Sequence, residues 1–231
     1  MVPQGNPVVP WFLRKSRVVE KDRKREAFPV LFPPHHCYFG VNSRYTISYM
    51  YPTTFGKFVD PSTVVTHFHL REGDTVADFG AGSGHYMSLL SVAVGQEGAV
   101  YLCEIQKELV NALLNKSRDE RLTNVHPLWC DIEAENGIKL KNDALDAGVL
   151  SNTLFQFTDK VDALKEIARV MRKGGKLFII DWTDSFGGLG PQTSAVVTPE
   201  MAKVLIEQAG FTFEHEFPTG DHHYGLLCRK K

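Results

Sequence analysis

The residues best suited to chemistry form a glycine-rich turn between an apolar run and an apolar stretch of helical length. Val76–Phe79 predicts a buried strand, and Met87–Val94 predicts the helix that follows it. Between them stand three glycines at alternate positions, Gly80, Gly82 and Gly84. Because glycine has no Cβ, such a turn lets the main chain and a helix N-terminus approach a ligand closely. Asp78 precedes the turn, so the motif is acid-x-G-x-G-x-G.

This spacing differs from the dinucleotide-binding fingerprint. That motif, G-x-G-x-x-G, would place its third glycine at position 85, where this chain has His85. A tight turn without any ligand remains an alternative explanation for the glycines alone. The residues downstream argue against that alternative.

The second predicted strand ends in an acid. Ala99–Glu104 follows a turn, and Glu104 lies 24 residues beyond Gly80. A carboxylate at that place can accept hydrogen bonds from both ribose hydroxyls of a nucleoside. Residues 124–132 predict a third strand that also ends near an acid, Asp131, although an acid there could equally cap a turn.

With these motifs the chain resembles the class I S-adenosylmethionine (SAM)-dependent methyltransferases, from about Asp60 to the C-terminus. The resemblance implies an α/β, Rossmann-like fold with helices on both faces of the sheet. That sheet would have seven strands, mostly parallel, with an antiparallel strand at the C-terminal end. The implied cofactor is S-adenosyl-L-methionine.

The resemblance also assigns roles to residues. It implies that Glu104 binds the ribose, that Asp131 binds the adenine amino group, and that the Ile132 backbone meets the adenine ring. The end of the fourth strand, residues 144–152, faces the transferring methyl group in this fold, and Phe155 lies nearby. The expected cofactor-binding residues are Asp78, Gly80, Gly82, Gly84, Glu104, Asp131, Ile132, Ser151 and Asn152.

One departure from related families narrows the acceptor. Methyltransferases of nucleobase or amide nitrogens often carry an Asn/Asp-Pro-Pro-aromatic motif after the fourth strand, whereas this chain has Ser-Asn-Thr-Leu-Phe at 151–155. This argues against methylation of DNA adenine or of protein glutamine. The helix at 159–172, the Gly174-Gly175 turn expected to end it and the strand at 176–182 resemble small-molecule methyltransferases related to those of quinone biosynthesis.

Apolar spacing and capping residues predict the other elements. Asp60-Pro61 predicts the start of a helix with Val64, Val65, Phe68 and His69 inward, and a second helix runs from Lys107 to about Arg118. Thr198-Pro199 predicts another helix start, with an inward face of Met201, Val204, Leu205 and Ala209. Residues 211–217 and 224–229 predict an antiparallel pair of strands.

A general base is needed only if the acceptor must lose a proton before it attacks. His85 at the glycine turn and Asp181 at the end of the fifth strand are the catalytic candidates, although His85 could equally point to solvent and Asp181 could be structural. His222 and His223 fall in or beside a predicted hairpin turn, which favours a surface position. No base is assigned from the sequence.

Residues 1–58 predict an N-terminal extension to the 59–231 methyltransferase domain. Residues 1–35 contain six prolines and a basic core, which predicts a solvated arm, an anion-binding arm or a self-association arm. Residues 38–58 are rich in aromatic side chains, which suits either a lid over the cofactor or ordinary packing. His35-His36-Cys37 lacks a second ligand pair, so no metal site is expected.

Composition bounds the class of protein. The 231 residues carry a net charge of −1 and four widely separated cysteines, which favours reduced thiols in a cytoplasmic protein. The sequence shows no signal peptide and no apolar run near the length of a membrane span. The extension is basic and the rest mildly acidic.

The sequence therefore predicts a SAM-dependent methyltransferase that acts on a small-molecule or lipid-like acceptor. An RNA or protein methyltransferase that uses the basic arm is the first alternative. A non-catalytic SAM-fold binding subunit and a nicotinamide-dependent oxidoreductase are the others. Neither the acceptor nor the oligomeric state follows from the residues.

Overall fold

A twisted sheet of seven strands forms the centre of the computed structural model, which describes residues 59–186 and 188–231. The strands are β1 Thr75–Phe79, β2 Ala99–Glu104, β3 Val125–Trp129, β4 Leu145–Ser151, β5 Met171–Trp182, β6 Phe211–Phe217 and β7 His223–Lys230. Their order across the sheet is β3-β2-β1-β4-β5-β7-β6. The pairs among β1 to β5 are parallel, and β7 is antiparallel to both of its neighbours. The predicted fold is confirmed.

Five α-helices connect or flank these strands: α1 Pro61–Val64, α2 Met87–Val94, α3 Lys107–Asp119, α4 Lys160–Val170 and α5 Pro199–Gln208. Three short 3₁₀ turns lie at Val65–His67, Leu154–Gln156 and Thr193–Ala195. The predicted extension, its lid and its histidine-cysteine triplet lie outside the described residues.

The helices cover both faces of the sheet because successive strand residues point to opposite sides. Ala77 and Phe79 of β1 pack with α4 and α5 in one apolar core. Val76 packs on the other side with α1, α2 and Leu113 of α3. We call this second side the α2 face and the first the α4 face. Every side chain at the end of a strand can thus be assigned to one of two faces.

The helix cap predicted at Asp60 is confirmed, but its inner face is shorter than expected. Asp60 Oδ1 accepts a hydrogen bond of 3.0 Å from the backbone N–H of Ser62. Val64 and Phe68 are buried, whereas His69 is exposed with a φ of 46° and Val65 is half-buried. The chain leaves the helical path before His69 could face inward.

The predicted end of α4 is wrong. The helix stops at Val170, and Met171 is already extended and pairs with Leu145 of β4. The register then resumes with Ala147 opposite Lys176, so the intervening residues bulge out, with Gly174 at a φ of 74°. Sheet hydrogen bonds take the place of the last helical turn, and the glycine serves a bulge instead of a helix cap.

The predicted inner face of α5 is only partly right. Met201 and Val204 are 51% and 56% exposed, while Ala202 and Ile206 are buried. Ala209 is buried and Leu205 half-buried as expected. Because Ala202 is small, it allows α5 to lie close to the sheet with Ala202 and Ile206 inward. A prediction that turns the largest apolar side chains inward does not find this orientation of the helix.

Candidate active site

The glycine turn forms a cradle at the end of β1. Gly80, Gly82 and Gly84 all have positive φ values, of 80°, 55° and 75°. The backbone N–H groups of Gly80 and Ala81 donate to the Cys103 carbonyl at 2.9 and 3.0 Å, which ties the turn to β2. A left-handed conformation at three alternate positions explains why these residues are glycines.

The three glycines differ in what surrounds them. A Cβ at Gly80 would lie 2.6 Å from Thr153 Oγ1, and one at Gly84 would lie 2.6 Å from Leu113 Cδ2. Among the residues that the structure describes, a Cβ at Gly82 would meet only the Gly80 carbonyl, at 4.0 Å. Gly80 and Gly84 therefore face packed protein, whereas Gly82 faces open space that a ligand can occupy.

Glu104 lies directly beside that opening. The side chain is 6% exposed at the end of β2. Its Oε2 accepts a hydrogen bond of 3.0 Å from Gly82 N–H, and its Oε1 accepts one of 2.8 Å from Gln106 N–H. The structure thus brings together two residues that are 22 positions apart and that the sequence assigned to one ligand.

Asp78 is buried next to this pair, with 2% exposure. Burial, with a further contribution from the charge of Glu104, raises the pKa of Asp78 to about 7. Its carboxyl accepts no hydrogen bond from the residues that the structure describes. Two carboxyl groups placed together suit a ligand that carries positive charge.

Asp131 and Ile132 follow β3 at the same edge of the sheet. Cys130 N–H donates to the Glu104 carbonyl at 3.0 Å, which aligns this loop with the end of β2. Asp131 is half-buried, and its Oδ1 accepts a hydrogen bond from Glu133 N–H at 3.2 Å. Ile132 is buried.

Ser151 and Asn152 end β4 beside the glycine turn. Ser151 Oγ lies 3.5 Å from Tyr86 Oη. Asn152 has a φ of 54°, and its N–H donates to the Ile180 carbonyl at 2.8 Å. Its side-chain Oδ1 is buried and has no hydrogen-bond partner in the described part of the chain. An orphaned buried oxygen is costly, which is consistent with a ligand as its partner.

The two catalytic candidates occupy different environments. Asp181 points to the α4 face, opposite to Asp78 and Glu104, and accepts hydrogen bonds from Trp182 N–H at 2.8 Å and Phe155 N–H at 3.3 Å. Burial raises the pKa of Asp181 to about 7. These bonds describe a carboxyl that holds the Leu154–Gln156 turn in place.

His85 lies on the exposed rim of the glycine turn. Its Nδ1 is 3.3 Å from Ser83 Oγ. Partial burial and then the charge of Lys116 lower the pKa of His85. His85 thus contacts Ser83 of the turn and lies near Lys116 of α3.

Sequence reasoning missed three residues that shape the cradle. Lys116 of α3 donates to the Ser83 carbonyl at 3.3 Å and to the Gly84 carbonyl at 3.0 Å. Tyr86 is buried between Ser151 and the core, and Thr153 packs on Gly80. No local sequence pattern marks Lys116, since it is one of several polar residues on α3. Tyr86 could have been predicted, because it lies just after the glycine motif.

The two adjacent histidines differ as well. His222 is half-buried, has a φ of 64°, and places its Nδ1 3.0 Å from Asp184 Oδ1. His223 is only 8% exposed at the start of β7, so the surface position predicted for it is wrong. The indole of Trp182, which pairs with His223 from the end of β5, packs against the imidazole and covers it.

Comparison with known proteins identifies the family and agrees with this fold. The methyltransferase-domain family matches residues 70–210, which is more than half of the chain. The chain is 32% identical over 144 residues to the ubiquinone/menaquinone biosynthesis C-methyltransferase UbiE of Vibrio campbellii, covering 60% of this chain and 54% of that protein. It therefore spans about half the length of the curated relatives it matches.

Solved structures give the same result. A SAM-dependent methyltransferase from Aquifex aeolicus is 31% identical, with a TM-score of 0.68 over 74% of this chain and 89% of that one. The [4+2]-cyclase SpnF shares only the fold, at 16% identity and a TM-score of 0.61 over 73% of this chain and 79% of that one.

The fold and the cradle thus define a class I SAM-dependent methyltransferase. The chain belongs to the methyltransferase-domain family, and SAM is the cofactor of that enzyme class. The residues fit this cofactor: open space at Gly82, two carboxyl groups beside it and an orphaned amide oxygen on Asn152. Among the described helices, none is long and apolar enough to cross a membrane.

Proposed function

We propose that this protein transfers the methyl group of SAM to a small-molecule or lipid-like acceptor. The observation that carries the proposal is the contact between Glu104 Oε2 and Gly82 N–H beside open space. It places a carboxylate and an unobstructed main chain at one point, which is what recognition of an adenosyl group requires.

Each residue at this edge has a proposed task. Glu104 accepts hydrogen bonds from the ribose hydroxyls, Asp131 accepts one from the adenine amino group, and the Ile132 backbone contacts the adenine ring. The glycine turn lets the main chain approach. Asp78 offers negative charge to a cationic cofactor, and Ser151 and Asn152 line the place where the methyl group is transferred.

SAM supplies an electrophilic methyl group on a sulfonium centre. The protein's part in such a transfer is to hold the acceptor in line with that group and to exclude water, because position alone can contribute much of the acceleration. If the acceptor carries a proton that must leave, the protein also has to supply a base.

The acceptor class that we put forward first is an aromatic quinol methylated at a ring carbon. The support is the similarity to UbiE, named a ubiquinone/menaquinone biosynthesis C-methyltransferase. Residues 1–58 are proposed to form an N-terminal extension to the methyltransferase domain of residues 59–231.

Isothermal titration calorimetry with SAM, followed by transfer from labelled SAM, tests the proposal. We expect the purified full chain to bind SAM and its demethylated product S-adenosylhomocysteine, and to label 1,4-naphthohydroquinone kept reduced with dithionite. A protein that is folded by circular dichroism but binds neither SAM nor its product would contradict the proposed function.

A further inference from the structure

His223 lies at the same edge of the sheet as the proposed cofactor site, with its imidazole held in one orientation. The ring packs against the indole of Trp182, with 4.1 Å between the ring centroids. Its Nδ1 lies 3.2 Å from the carbonyl oxygen of Asp221. Since a carbonyl oxygen can only accept, Nδ1 carries the hydrogen, and Nε2 keeps its lone pair.

No donor in the described part of the chain forms a hydrogen bond to that lone pair. His223 Nε2 is buried and has no hydrogen-bond partner there, and the same is true of Thr219 Oγ1. A Cβ on Gly225 would lie 2.6 Å from Thr219 Cγ2, so Thr219 lies on the side of the sheet to which residue 225 points. Residue 223 points to the same side, because side chains two positions apart on a strand share a face. A buried acceptor nitrogen without a donor is costly.

Register places these groups relative to the end of β4. Ser151 pairs with Ile180, and Ile180 pairs with Gly225. From the spacing of neighbouring strands and the rise per residue, the Cα atoms of Ser151 and His223 are about 12 Å apart. Side chains and one bicyclic aromatic molecule can bridge that distance.

The face also matches. Ile180 and Leu227 belong to the apolar core of the α2 face. So do Val76, Leu102 and Val149, each two residues before Asp78, Glu104 and Ser151, and side chains two apart on a strand point the same way. His223 therefore points to the α2 face, whereas Asp181 points to the α4 face. Of the two, only His223 shares a face with the proposed cofactor site.

The surroundings of His223 favour the neutral imidazole. Burial lowers the pKa of His223, with a smaller lowering from His222, while the Asp221 carbonyl and the charge of Asp184 act in the opposite direction. The titratable groups among these are His222 and Asp184, and they are paired with each other. A neutral imidazole with a free Nε2 can take up a proton.

We infer that His223 Nε2 accepts the proton of a hydroxyl group on the methyl acceptor, which assigns the acceptor to hydroxylated aromatic compounds. The inference rests on the proposed function, extends its quinol acceptor to hydroxylated aromatic compounds in general, and adds a catalytic residue. The Trp182 indole beside the imidazole suits a flat aromatic ring.

The step balances as follows for a ring-carbon acceptor. The O–H bond breaks and its proton forms the imidazolium of His223, while the electron pair left on oxygen is delocalised onto the ring carbon ortho to the C–O carbon, which still bears a hydrogen. That carbon forms a bond to the methyl group as the bond from methyl to sulfur breaks, with its electron pair going to sulfur. The hydrogen on the methylated carbon leaves as a proton to water, and the imidazolium returns its proton to the oxygen.

Nitrogen-15 NMR of the histidines in the full chain tests this assignment. The protein contains nine histidines, and a His223→Gln variant identifies the resonances of His223 by their loss. At pH 7 we expect an unprotonated Nε2, whose resonance shifts when 1,4-naphthohydroquinone is added to protein saturated with S-adenosylhomocysteine. A protonated Nε2 in the free protein, or a resonance that does not move at saturating probe, would overturn the inference.

Kinetics provide the second arm. We expect His223→Gln to keep its SAM affinity within about twofold and to lose about 100-fold or more in transfer rate at pH 7. Its rate should rise with pH as the hydroxyl of the probe ionises by itself, so that the difference from the parent protein narrows. The matched control is His215→Gln, an exposed histidine on β6 that should change neither quantity.

The outcomes separate the two proposals. A His223→Gln rate within threefold of the parent rate and with the same pH profile would overturn the role of His223. A parent protein that binds SAM but neither binds nor methylates the hydroquinone overturns the hydroxylated-aromatic assignment and leaves the proposed function standing. A parent protein that fails to bind SAM would overturn both the proposed function and the role of His223.

Discussion

The two halves of this sheet edge differ in how their polar groups are satisfied. At the ends of β1, β2 and β3, Glu104 already has both oxygens in hydrogen bonds, and the glycine turn is tied to β2. At the end of β4 and the start of β7, Asn152 Oδ1, Thr219 Oγ1 and His223 Nε2 are buried without partners among the described residues. Under the proposed function, the first half, which we call the cofactor half, would be preorganised for SAM. The second, the acceptor half, would be completed by hydrogen-bond donors of the acceptor.

The largest effect should come from filling the space at Gly82. We expect Gly82→Val to weaken SAM binding by about 100-fold or more, since the side chain would occupy the ligand side of the turn and its φ of 55° is unfavourable for a β-branched residue. Calorimetry measures the affinity. The control is Gly174→Ala, which also has a positive φ, of 74°, and open surroundings, and which should lose stability but not affinity. Equal losses of affinity in both variants would contradict the assignment.

Next in size is the carboxylate of Glu104. Glu104→Gln keeps the volume but removes the charge and replaces one accepting oxygen with an NH₂ group that can only donate, so we expect about a tenfold to hundredfold weaker affinity for SAM. The same titration checks it, with Glu108→Gln on the exposed side of α3 as control. Affinities of Glu104→Gln and the parent within twofold would show that the ribose is bound elsewhere.

A smaller effect is expected from protonation of Asp78. With a pKa of about 7, its carboxyl loses charge as the pH falls from 8 to 6, and the affinity for a cationic cofactor should fall with it, by less than tenfold per pH unit. In the opposite direction, raising the pH through 7 should tighten binding. Titrations at several pH values test this, and Asp78→Asn should flatten the profile. A profile that keeps its slope in Asp78→Asn would assign the proton to another group.

The smallest effect on the cofactor is expected at Asp181, on the opposite face. Asp181→Asn should leave the SAM affinity within about twofold. The folded-state pKa of Asp181, about 7, lies above that of the unfolded chain. Between about pH 4 and 7 the native state therefore keeps a proton that the unfolded chain has already released, so the free energy of unfolding decreases as the pH rises. Urea unfolding across this range should show a shallower decrease in the variant. A large loss of SAM affinity would place Asp181 in the cofactor half after all.

The same contrast explains what the sequence could predict. Asp78, the three glycines and Glu104 are encoded locally, as an acid-glycine pattern after one apolar run and an acid at the end of the next, so their convergence on one edge follows from parallel pairing. Their roles as ligands remain proposals.

The acceptor half depends on contacts between distant segments. His223 follows turn residues, and nothing local shows that pairing with Trp182 buries it.

Two helices outside that half were also mispredicted. The end of α4 is decided by the pairing of Met171 with Leu145, and the orientation of α5 by the close approach that Ala202 allows. Such outcomes depend on tertiary packing, which outweighs local propensity.

The bonds from Lys116 to the Ser83 and Gly84 carbonyls have a thermodynamic consequence. They make the shape of the cradle depend on α3, so whatever occupies the cradle is linked to the local opening of that helix. We expect saturating SAM to slow amide hydrogen exchange along α3, and substitutions on this helix to alter affinity without touching the cofactor.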